Sequence, residues 1–335
     1  MKLRILSEAD CRSLIDMGHA IDIQAEAFTL LADGKSVEGL RSFAESTNPP
    51  GAAIFNPCFL RDGVGYGVKV VSDFYRNTER GVPRMTAILA LMNGETGAPE
   101  TVMEAGYLTD LRTGAGTGLA ARYLARPDSR VLAVIGAGRV ARNQIEALTT
   151  VLDIETIHVS TRTRARGLQF VDSIKRTGGR ITADVRLVDS PQDAVAAADV
   201  VVAATTSHEP VVQGAWLKPG AFVASVGSYT PTMRELDSET IRRASKWVID
   251  SRSDCLDHAG DFVIPISEGI LDRDSVVQLA ELVSGAATGR TDPGEITVYK
   301  SIGVPIQDIV TGQHIEHRAR ERNIGVEIEI GGDHD

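Results

Sequence analysis

Near the middle of the chain stands the sequence Val131-Leu132-Ala133-Val134-Ile135-Gly136-Ala137-Gly138-Arg139-Val140-Ala141. An apolar run ends in Gly-x-Gly-x-x-Ala, and an amphipathic segment follows. Gly136 permits a tight turn, Gly138 lets the backbone approach a pyrophosphate, and Ala141 allows close contact between helix and strand. The helix start offers unpaired amides to phosphate oxygens. The alternative is a flavodoxin-like turn that binds nothing. The pattern predicts dinucleotide contacts at Gly136, Ala137, Gly138, Arg139 and Val140.

Short apolar runs separated by amphipathic segments follow this loop, a pattern typical of a parallel sheet with helical crossovers. The predicted strands are Val131–Ile135, Thr156–Ser160, Ile181–Val185, Val200–Ala204, Phe222–Val226 and Trp247–Asp250. Two predicted helices between the first three strands are Arg139–Leu152 and Ala165–Thr177. This order of elements predicts an α/β fold with a doubly wound parallel sheet of the Rossmann type.

The residues before Val131 have a different texture, which predicts a separate α+β domain. Its predicted elements are a helix over Asp10–Leu31, strands at Tyr66–Val71, Thr86–Met92 and Glu100–Glu104, a hairpin loop at Asn93–Gly97, and a helix over Leu108–Leu124. A further helix follows Pro305 to about Arg322. We therefore expect a first domain of residues 1–125, completed by the C-terminal helix at about 304–325, and a Rossmann domain of residues 126–303, with a hinge at Pro127-Asp128-Ser129.

The type of cofactor is predicted from the end of the second Rossmann strand. NAD enzymes usually place an acid there for the ribose 2′-hydroxyl, but this chain has Thr161, Arg162, Thr163 and Arg164. A guanidinium can hold two oxygens of a 2′-phosphate. We therefore expect NADP(H) to be preferred, with NAD(H) possible; the alternative is that Arg162 and Arg164 are solvated residues at a helix start. Further residues assigned to the cofactor are Thr205, Thr206, Val226, Gly227 and Tyr229.

The composition excludes several classes of partner. The chain has 335 residues and a net charge of −10, which gives no electrostatic reason to bind nucleic acid or an anionic membrane. A polar N-terminus and the lack of about 18 uninterrupted apolar residues predict a cytoplasmic protein. The cysteines Cys11, Cys58 and Cys255 are isolated and form no metal-ligand spacing, so we expect buried thiols and no metal.

Two segments before the dinucleotide loop and one after it point to a family. They are Tyr66-Gly67-Val68-Lys69-Val70-Val71, Tyr107-Leu108-Thr109-Asp110-Leu111-Arg112-Thr113-Gly114-Ala115 and Lys300-Ser301-Ile302-Gly303. With the Gly-x-Gly loop they resemble the G-x-K strand, the L-T-x-L-R-T helix start and the late K-S-x-G segment of the ornithine cyclodeaminase and mu-crystallin family. The resemblance extends from about Leu3 to about Gly325.

The resemblance implies a small amino acid or cyclic imine carboxylate as substrate and a homodimer built through strands of the first domain. Arg41 and Arg112 would hold the carboxylate, Lys69 would orient or protonate the substrate, and Thr113 would lie near the cofactor. Charge-assisted donors of these types suit a carboxylate in a partly dry site. The alternatives are a surface ion pair for Arg41, a solvated position for Lys69 and an interdomain ion pair for Arg112.

The chain departs from the family pattern at Tyr229. Cyclodeaminating members have an aspartate in the corresponding V-G-x-D-x-P-G segment, and a phenol is a poor base at neutral pH. The resemblance therefore implies an imine reductase, of the pyrroline-2-carboxylate or piperideine-2-carboxylate type. The alternatives are an ornithine cyclodeaminase using bound NAD, an alanine-dehydrogenase-like enzyme and a non-enzymatic, crystallin-like NADP-binding protein. Later polar residues are expected to be structural, namely Asp257, His258, Asp261 and Glu268.

Overall fold

The computed structural model describes residues 1–176 and 181–331. The chain divides into two units. Unit 1 comprises Met1–Arg112 and the residues from Val304 onward, and unit 2 comprises Thr113–Gly303. The division falls inside a helix, between Arg112 and Thr113, and not at the Pro127 turn. Each unit is described by itself below.

The N-terminal part of unit 1 is built mainly from strands. Its elements are β1 (Lys2–Leu6), α1 (Glu8–Leu14), α2 (Met17–Ala32), β2 (Ser36–Glu38), β3 (Ser42–Thr47), β4 (Pro50–Leu60), β5 (Gly65–Phe74), β6 (Met85–Met92), β7 (Pro99–Glu104) and the first part of α3 (Gly106–Leu124). The single predicted helix over Asp10–Leu31 is wrong in one respect: it is two helices. Ser7 caps α1 and Asp16 caps α2, so the backbone is extended between them.

Unit 2 carries the alternating strands and helices that the apolar runs predict. Its elements are β8 (Val131–Ile135), α4 (Arg139–Val151), β9 (Thr156–Ser160), α5 (Arg164–Lys175), β10 (Asp184–Leu187), α6 (Pro191–Ala196), β11 (Val200–Ala203), β12 (Phe222–Ser225), α7 (Ser238–Arg243), β13 (Lys246–Ile249), α8 (Arg252–His258), α9 (Gly260–Ser267), β14 (Val277–Gln278), α10 (Leu279–Val283) and β15 (Thr297–Lys300). The chain then returns to unit 1 with α11 (Pro305–Arg322) and β16 (Val326–Glu329).

The sheet of unit 2 is all parallel, in the order β10-β9-β8-β11-β12-β15-β13-β14. Its first five strands follow the 3-2-1-4-5 order of a doubly wound sheet, which confirms the predicted Rossmann-type α/β fold. β11 reads Val-Val-Val-Ala and is fully buried, as expected of a strand covered on both faces. The order reverses between β8 and β11, and ligands of such sheets bind at the carboxyl ends of the strands at this point.

One predicted strand in unit 2 needs correction, one predicted helix end is not described, and one strand was not predicted. The third strand begins at Asp184 and not at Ile181, because its pairing with β9 starts where the Asp184 amide donates to Glu155. The predicted helix end at Thr177 lies outside the described residues. β15 lies between β12 and β13 but was not predicted. The strand has four residues, Thr-Val-Tyr-Lys, and it ends in a charged side chain.

The sheet of unit 1 has the order β16-β1-β7-β6-β5-β4-β2, with β3 also paired to β4. All its pairs are antiparallel except that of β1 with β7. The predicted hairpin between β6 and β7 is confirmed, since the Asn93 side chain accepts hydrogen bonds from the amides of Glu95 and Thr96. Strands β1 to β4 and β16 were not predicted, and the predicted helix after Pro305 is confirmed.

One face of the unit 1 sheet is covered by α11, which also packs against α2. Side chains of β5 alternate between buried and half-buried, so that every second one points toward α11. Gly312 allows the close approach, because a Cβ there would collide with the Leu89 side chain of β6. The buried face of β5 includes Lys69, a charge that demands a partner in this layer.

Candidate active site

The glycine loop of unit 2 has the shape that a diphosphate needs. Gly136 has φ of +120°, and a Cβ there would lie 2.5 Å from the Ala204 carbonyl oxygen. Gly138 begins α4 as its N-cap with no side-chain cap, and an ideal Cβ at Gly138 meets no atom within 4 Å. Ala141 is fully buried. The loop therefore leaves the helix N-terminus open, as dinucleotide binding requires.

A depression of about 360 Å³ lies beside this loop. Ala137 lines it together with α5 residues, namely Arg166, Gln169, Phe170 and Ser173. At the end of β9, Thr161 is half-buried and both Arg162 and Thr163 are exposed. Thr163 is the N-cap of α5 without a side-chain cap bond. The structure thus brings the predicted 2′-phosphate residues to the carboxyl end of β9.

The segments after β11 and β12 are joined by Glu235. One carboxylate oxygen accepts from the Thr205 amide at 2.6 Å and from the Thr205 hydroxyl at 2.8 Å. The other accepts from the Gly227 amide at 2.7 Å. Five predicted cofactor residues therefore share one region, in which Thr206 and Tyr229 are exposed and Val226 is half-buried.

Thr113 opens the part of α3 that belongs to unit 2 and is half-buried. The next residue, Gly114, approaches α4 so closely that a Cβ there would lie 2.5 Å from the Asn143 carbonyl oxygen. Thr113 is therefore near the helix that follows the glycine loop.

A fully buried polar cluster lies behind the segments after β11 and β12. Lys300 pairs with Asp261 at 3.2 Å and donates to the Ser228 hydroxyl at 2.8 Å, while Asp261 accepts from the Glu235 amide at 2.7 Å. Burial raises the pKa of Glu235. Burial also opposes the charge of Asp261, but Lys300 and the hydrogen-bond donors outweigh it, so the pKa of Asp261 is lowered. The cluster fixes the two segments, and Asp261 is a structural residue of unit 2.

The second group of candidate residues lies in unit 1, on β5, α3 and α11. Lys69 Nζ lies 2.6 Å from Asp308 Oδ2, and Arg112 Nε lies 2.9 Å from Asp308 Oδ1. All three residues are at most 6% exposed. A solvated position for Lys69 is therefore wrong, and Arg112 makes its ion pair within unit 1. The sequence analysis did not identify Asp308. The signal that could have found it is an acidic residue among apolar residues in the first turn of α11.

Arg41 joins the same group through β4. Arg41 Nε donates to Asn56 Oδ1 at 2.9 Å, and Asn56 is the register partner of Lys69. The side chain of Arg41 is half-buried. The three residues that the resemblance assigned to the substrate are thus brought together in one unit, along with Asp308.

The charges of this group set the protonation of Lys69. Burial lowers the pKa of Lys69 to about 8; Asp308 opposes this shift, and Arg112 and Arg41 add to it. Burial disfavours the carboxylate of Asp308, but Arg112 and Lys69 more than compensate, and the pKa of Asp308 is lowered. Two buried cations against one buried anion leave a net positive charge in the group. Such a group can bind one carboxylate.

Neither a metal centre nor a membrane span is found in the described part of the chain. No group of three or more His, Cys, Asp or Glu side chains among residues 1–176 and 181–331 could hold a metal ion. No helix in those ranges has the length and apolar character that a bilayer crossing needs.

The open glycine loop at the switch point of a doubly wound sheet defines a dinucleotide-binding protein of the Rossmann class. The other unit holds two buried cations, Lys69 and Arg112, that share the carboxylate of Asp308. The chain belongs to the ornithine cyclodeaminase/mu-crystallin family, whose model matches residues 1–323. The resemblance stated from the motifs is confirmed.

Comparison with known proteins finds relatives over almost the whole chain. A Delta(1)-pyrroline-2-carboxylate reductase of Bacillus cereus is 32% identical over 327 residues, which cover 97% of this chain and 99% of the relative. The Thermococcus litoralis Delta(1)-pyrroline-2-carboxylate reductase in complex with NADH and L-proline has a TM-score of 0.91 at 36% identity, covering 96% of this chain and 99% of that one. An archaeal alanine dehydrogenase dimer with bound NAD has a TM-score of 0.90 at 32% identity, covering 99% and 100%.

Proposed function

We propose that the chain is an NAD(P)H-dependent reductase that acts on the C=N bond of a small cyclic imino acid, of the pyrroline-2-carboxylate type. The observation that carries the proposal is the buried group of Lys69, Arg112 and Asp308, which offers a net positive charge to one carboxylate. Two of the similar proteins are Delta(1)-pyrroline-2-carboxylate reductases, and one of them is in complex with NADH and L-proline, the product of that reduction.

The residues of unit 1 would bind and orient the substrate. Arg112 and Arg41 present planar donors to the carboxylate oxygens. When bound, the reduced nicotinamide supplies the hydride that adds to the imine carbon. The nitrogen must end with a proton as the double bond becomes a single bond. Lys69, with a pKa of about 8, holds a proton at Nζ at neutral pH and is matched to that transfer.

Tyr229 supports reduction over cyclodeamination. The family motif has an aspartate where this chain has Tyr229, and the side chain of Tyr229 is 43% exposed. The acid that would handle protons at a leaving amine is therefore missing from this position. Lys69 and Arg112 likewise favour an enzyme over a crystallin-like binding protein, because two buried cations share the single anion Asp308 and a second anion would lower the cost of burying them.

The function is tested by supplying pyrroline-2-carboxylate, piperideine-2-carboxylate and ornithine with each nicotinamide cofactor. We expect stoichiometric loss of absorbance from the reduced cofactor with the cyclic imines. Ammonia release from ornithine without net cofactor change would instead identify a cyclodeaminase. Cofactor binding without turnover of any compound would identify a binding protein.

Amino acid dehydrogenation is the second candidate. It is favoured by the similarity to the archaeal alanine dehydrogenase, which extends over 99% of this chain. Pyruvate with ammonia belongs in the same panel for this reason. A kcat/KM for pyruvate and ammonia above that for every cyclic imine would place the chain with the dehydrogenases.

The preference for NADP(H) is a finer part of the proposal. It is supported by the absence of an acid over residues 161–164 and by the exposed guanidinium of Arg162. Arg164 is a matched control, because it already pairs with Asp189 at 2.6 Å. We expect Arg162→Ala to lower kcat/KM with NADPH about tenfold or more and to leave kcat/KM with NADH unchanged. The preference is wrong if the wild-type protein favours NADH.

A homodimer is also proposed, formed through the sheet of unit 1. Large apolar side chains are exposed on its strands, namely Phe43, Phe59, Met85 and Ile88 at 60%, 42%, 48% and 49%. The similar alanine dehydrogenase is a dimer. Light scattering after gel filtration should give twice the chain mass, and Ile88→Lys should shift it toward the monomer. A monomeric wild-type protein would contradict the proposal.

A further inference from the structure

Gln307, in the first turn of α11, has a buried amide with one unused end. Its Oε1 accepts from Arg112 Nη1 at 3.3 Å and from the Val304 amide at 3.1 Å. Both partners are donors, so the orientation of the amide is fixed, with the oxygen toward Arg112. Its Nε2 has no hydrogen-bond partner in the described chain, and the residue is 1% exposed.

An unpaired donor at this depth is unfavourable unless something else accepts from it. The neighbours of Gln307 in this group are the cation Arg112 and the adjacent Asp308, whose two oxygens are engaged by Arg112 and Lys69. A missing acceptor beside the buried cation Arg112 points to an anionic oxygen. Two other buried glutamines, Gln24 and Gln144, also have unpaired amide atoms, but Gln307 is the one bonded to a cation of this group.

We propose that Gln307 is a substrate-binding residue that donates from Nε2 to a carboxylate oxygen alongside Arg112. The inference rests on the proposed function for the identity of that carboxylate. Gln307 adds a hydrogen bond without adding charge. Lys69 and Arg112 share one anion, Asp308, and Arg41 belongs to the same group, so positive charge is in excess in this part of the site, which suits a substrate carboxylate.

Two variants test the role of the unused donor. Gln307→Glu keeps an oxygen for Arg112 and the Val304 amide and turns the unused donor into an acceptor. Gln307→Met removes the donor and also the oxygen that accepts from Arg112, and it adds no charge. Gln24→Met is the matched control: Gln24 is equally buried in unit 1 and donates to Thr311 of α11, outside the cationic group.

The probe is pyrrole-2-carboxylate, a planar carboxylate with no reducible C=N bond, titrated by calorimetry into the protein with NADPH present. We expect Gln307→Met to weaken its binding about 10- to 100-fold and Gln307→Glu to weaken it at least as much. NADPH affinity should not change. In imine reduction the same variants should raise KM more than they lower kcat. Gln24→Met should bind the probe within twofold of the wild-type protein.

Unchanged probe affinity in the two Gln307 variants, or no binding by the wild-type protein, overturns the inference. Binding that depends on Gln307 in a protein that reduces no imine contradicts the proposed reductase function alone. Equal losses in the Gln24 and Gln307 variants would also overturn the inference, because they would show a general effect on the packing of α11.

Discussion

Replacing Asp308 by Asn removes the one anion between two buried cations and keeps the shape of the side chain. The wild-type carboxylate lies 2.6 Å from Lys69 Nζ and 2.9 Å from Arg112 Nε, with little water near it. Removing one partner of such a buried ion pair typically costs about 3–5 kcal/mol in the free energy of unfolding. Asp308→Asn should therefore be folded but clearly less stable.

The same change should move the titration of Lys69. Asp308 is the group that holds the pKa of Lys69 up, at about 8, against burial and two guanidinium groups. Unit charges about 4 Å apart interact by roughly 4 kcal/mol at an effective dielectric constant of about 20. At about 1.4 kcal/mol per unit, the pKa of Lys69 should fall by roughly two to three units. Lys69 would then be mostly neutral at pH 7.

Binding of pyrrole-2-carboxylate between pH 5 and pH 9 measures this shift. If the charged form of Lys69 binds the carboxylate, wild-type affinity is retained below pH 8 and falls as the pH rises through about 8. In Asp308→Asn the fall should occur at lower pH. Asp199→Asn is the control, since Asp199 is a buried acid of unit 2 paired with Arg126 and Lys218, each at 2.8 Å. A fall that stays near pH 8 in Asp308→Asn, or moves equally in the control, refutes the reasoning.

Three further predictions concern the glycine loop, Lys69 itself and the buried ion pair of Lys300. Gly138→Ala should keep the wild-type melting temperature but bind NADPH at least about tenfold more weakly, because the added methyl group enters space that a diphosphate needs. Gly136→Ala should instead lower the melting temperature, because the backbone there has φ of +120°. Lys69→Met should lose carboxylate binding and turnover while NADPH affinity stays unchanged in a fluorescence titration. Lys300→Met should lower the free energy of unfolding by about 3–5 kcal/mol in a denaturant titration, because it leaves Asp261 buried without its cation.

The local patterns of unit 2 were sufficient to predict its fold. β8, the glycine loop and β9 follow one another closely in the chain. Their apolar patterns can be recognised without knowing which distant residues they contact. β15 is different: its position between β12 and β13 comes from pairing with strands far away in the chain. Nothing in Thr297–Lys300 itself marks a central strand.

The candidate site was predicted only in part, for a related reason. Lys69 and Arg112 stand in recognisable motifs, and a charge within an apolar strand signals a buried partner. The sequence does not say which acid that partner is. Asp308 and Gln307 become visible only when α11 covers β5, since the contact joins residues at opposite ends of the chain.

Transfer of hydride to the carbon beside the bound carboxylate is the central claim. It can be followed directly by giving the protein pyrroline-2-carboxylate with NADPH that carries deuterium at both C4 positions of the nicotinamide, then analysing the product by mass spectrometry. We expect proline with one deuterium on its α-carbon from the wild-type protein but not from Lys69→Met. Proline without deuterium, no proline, or full labelling by Lys69→Met would contradict it.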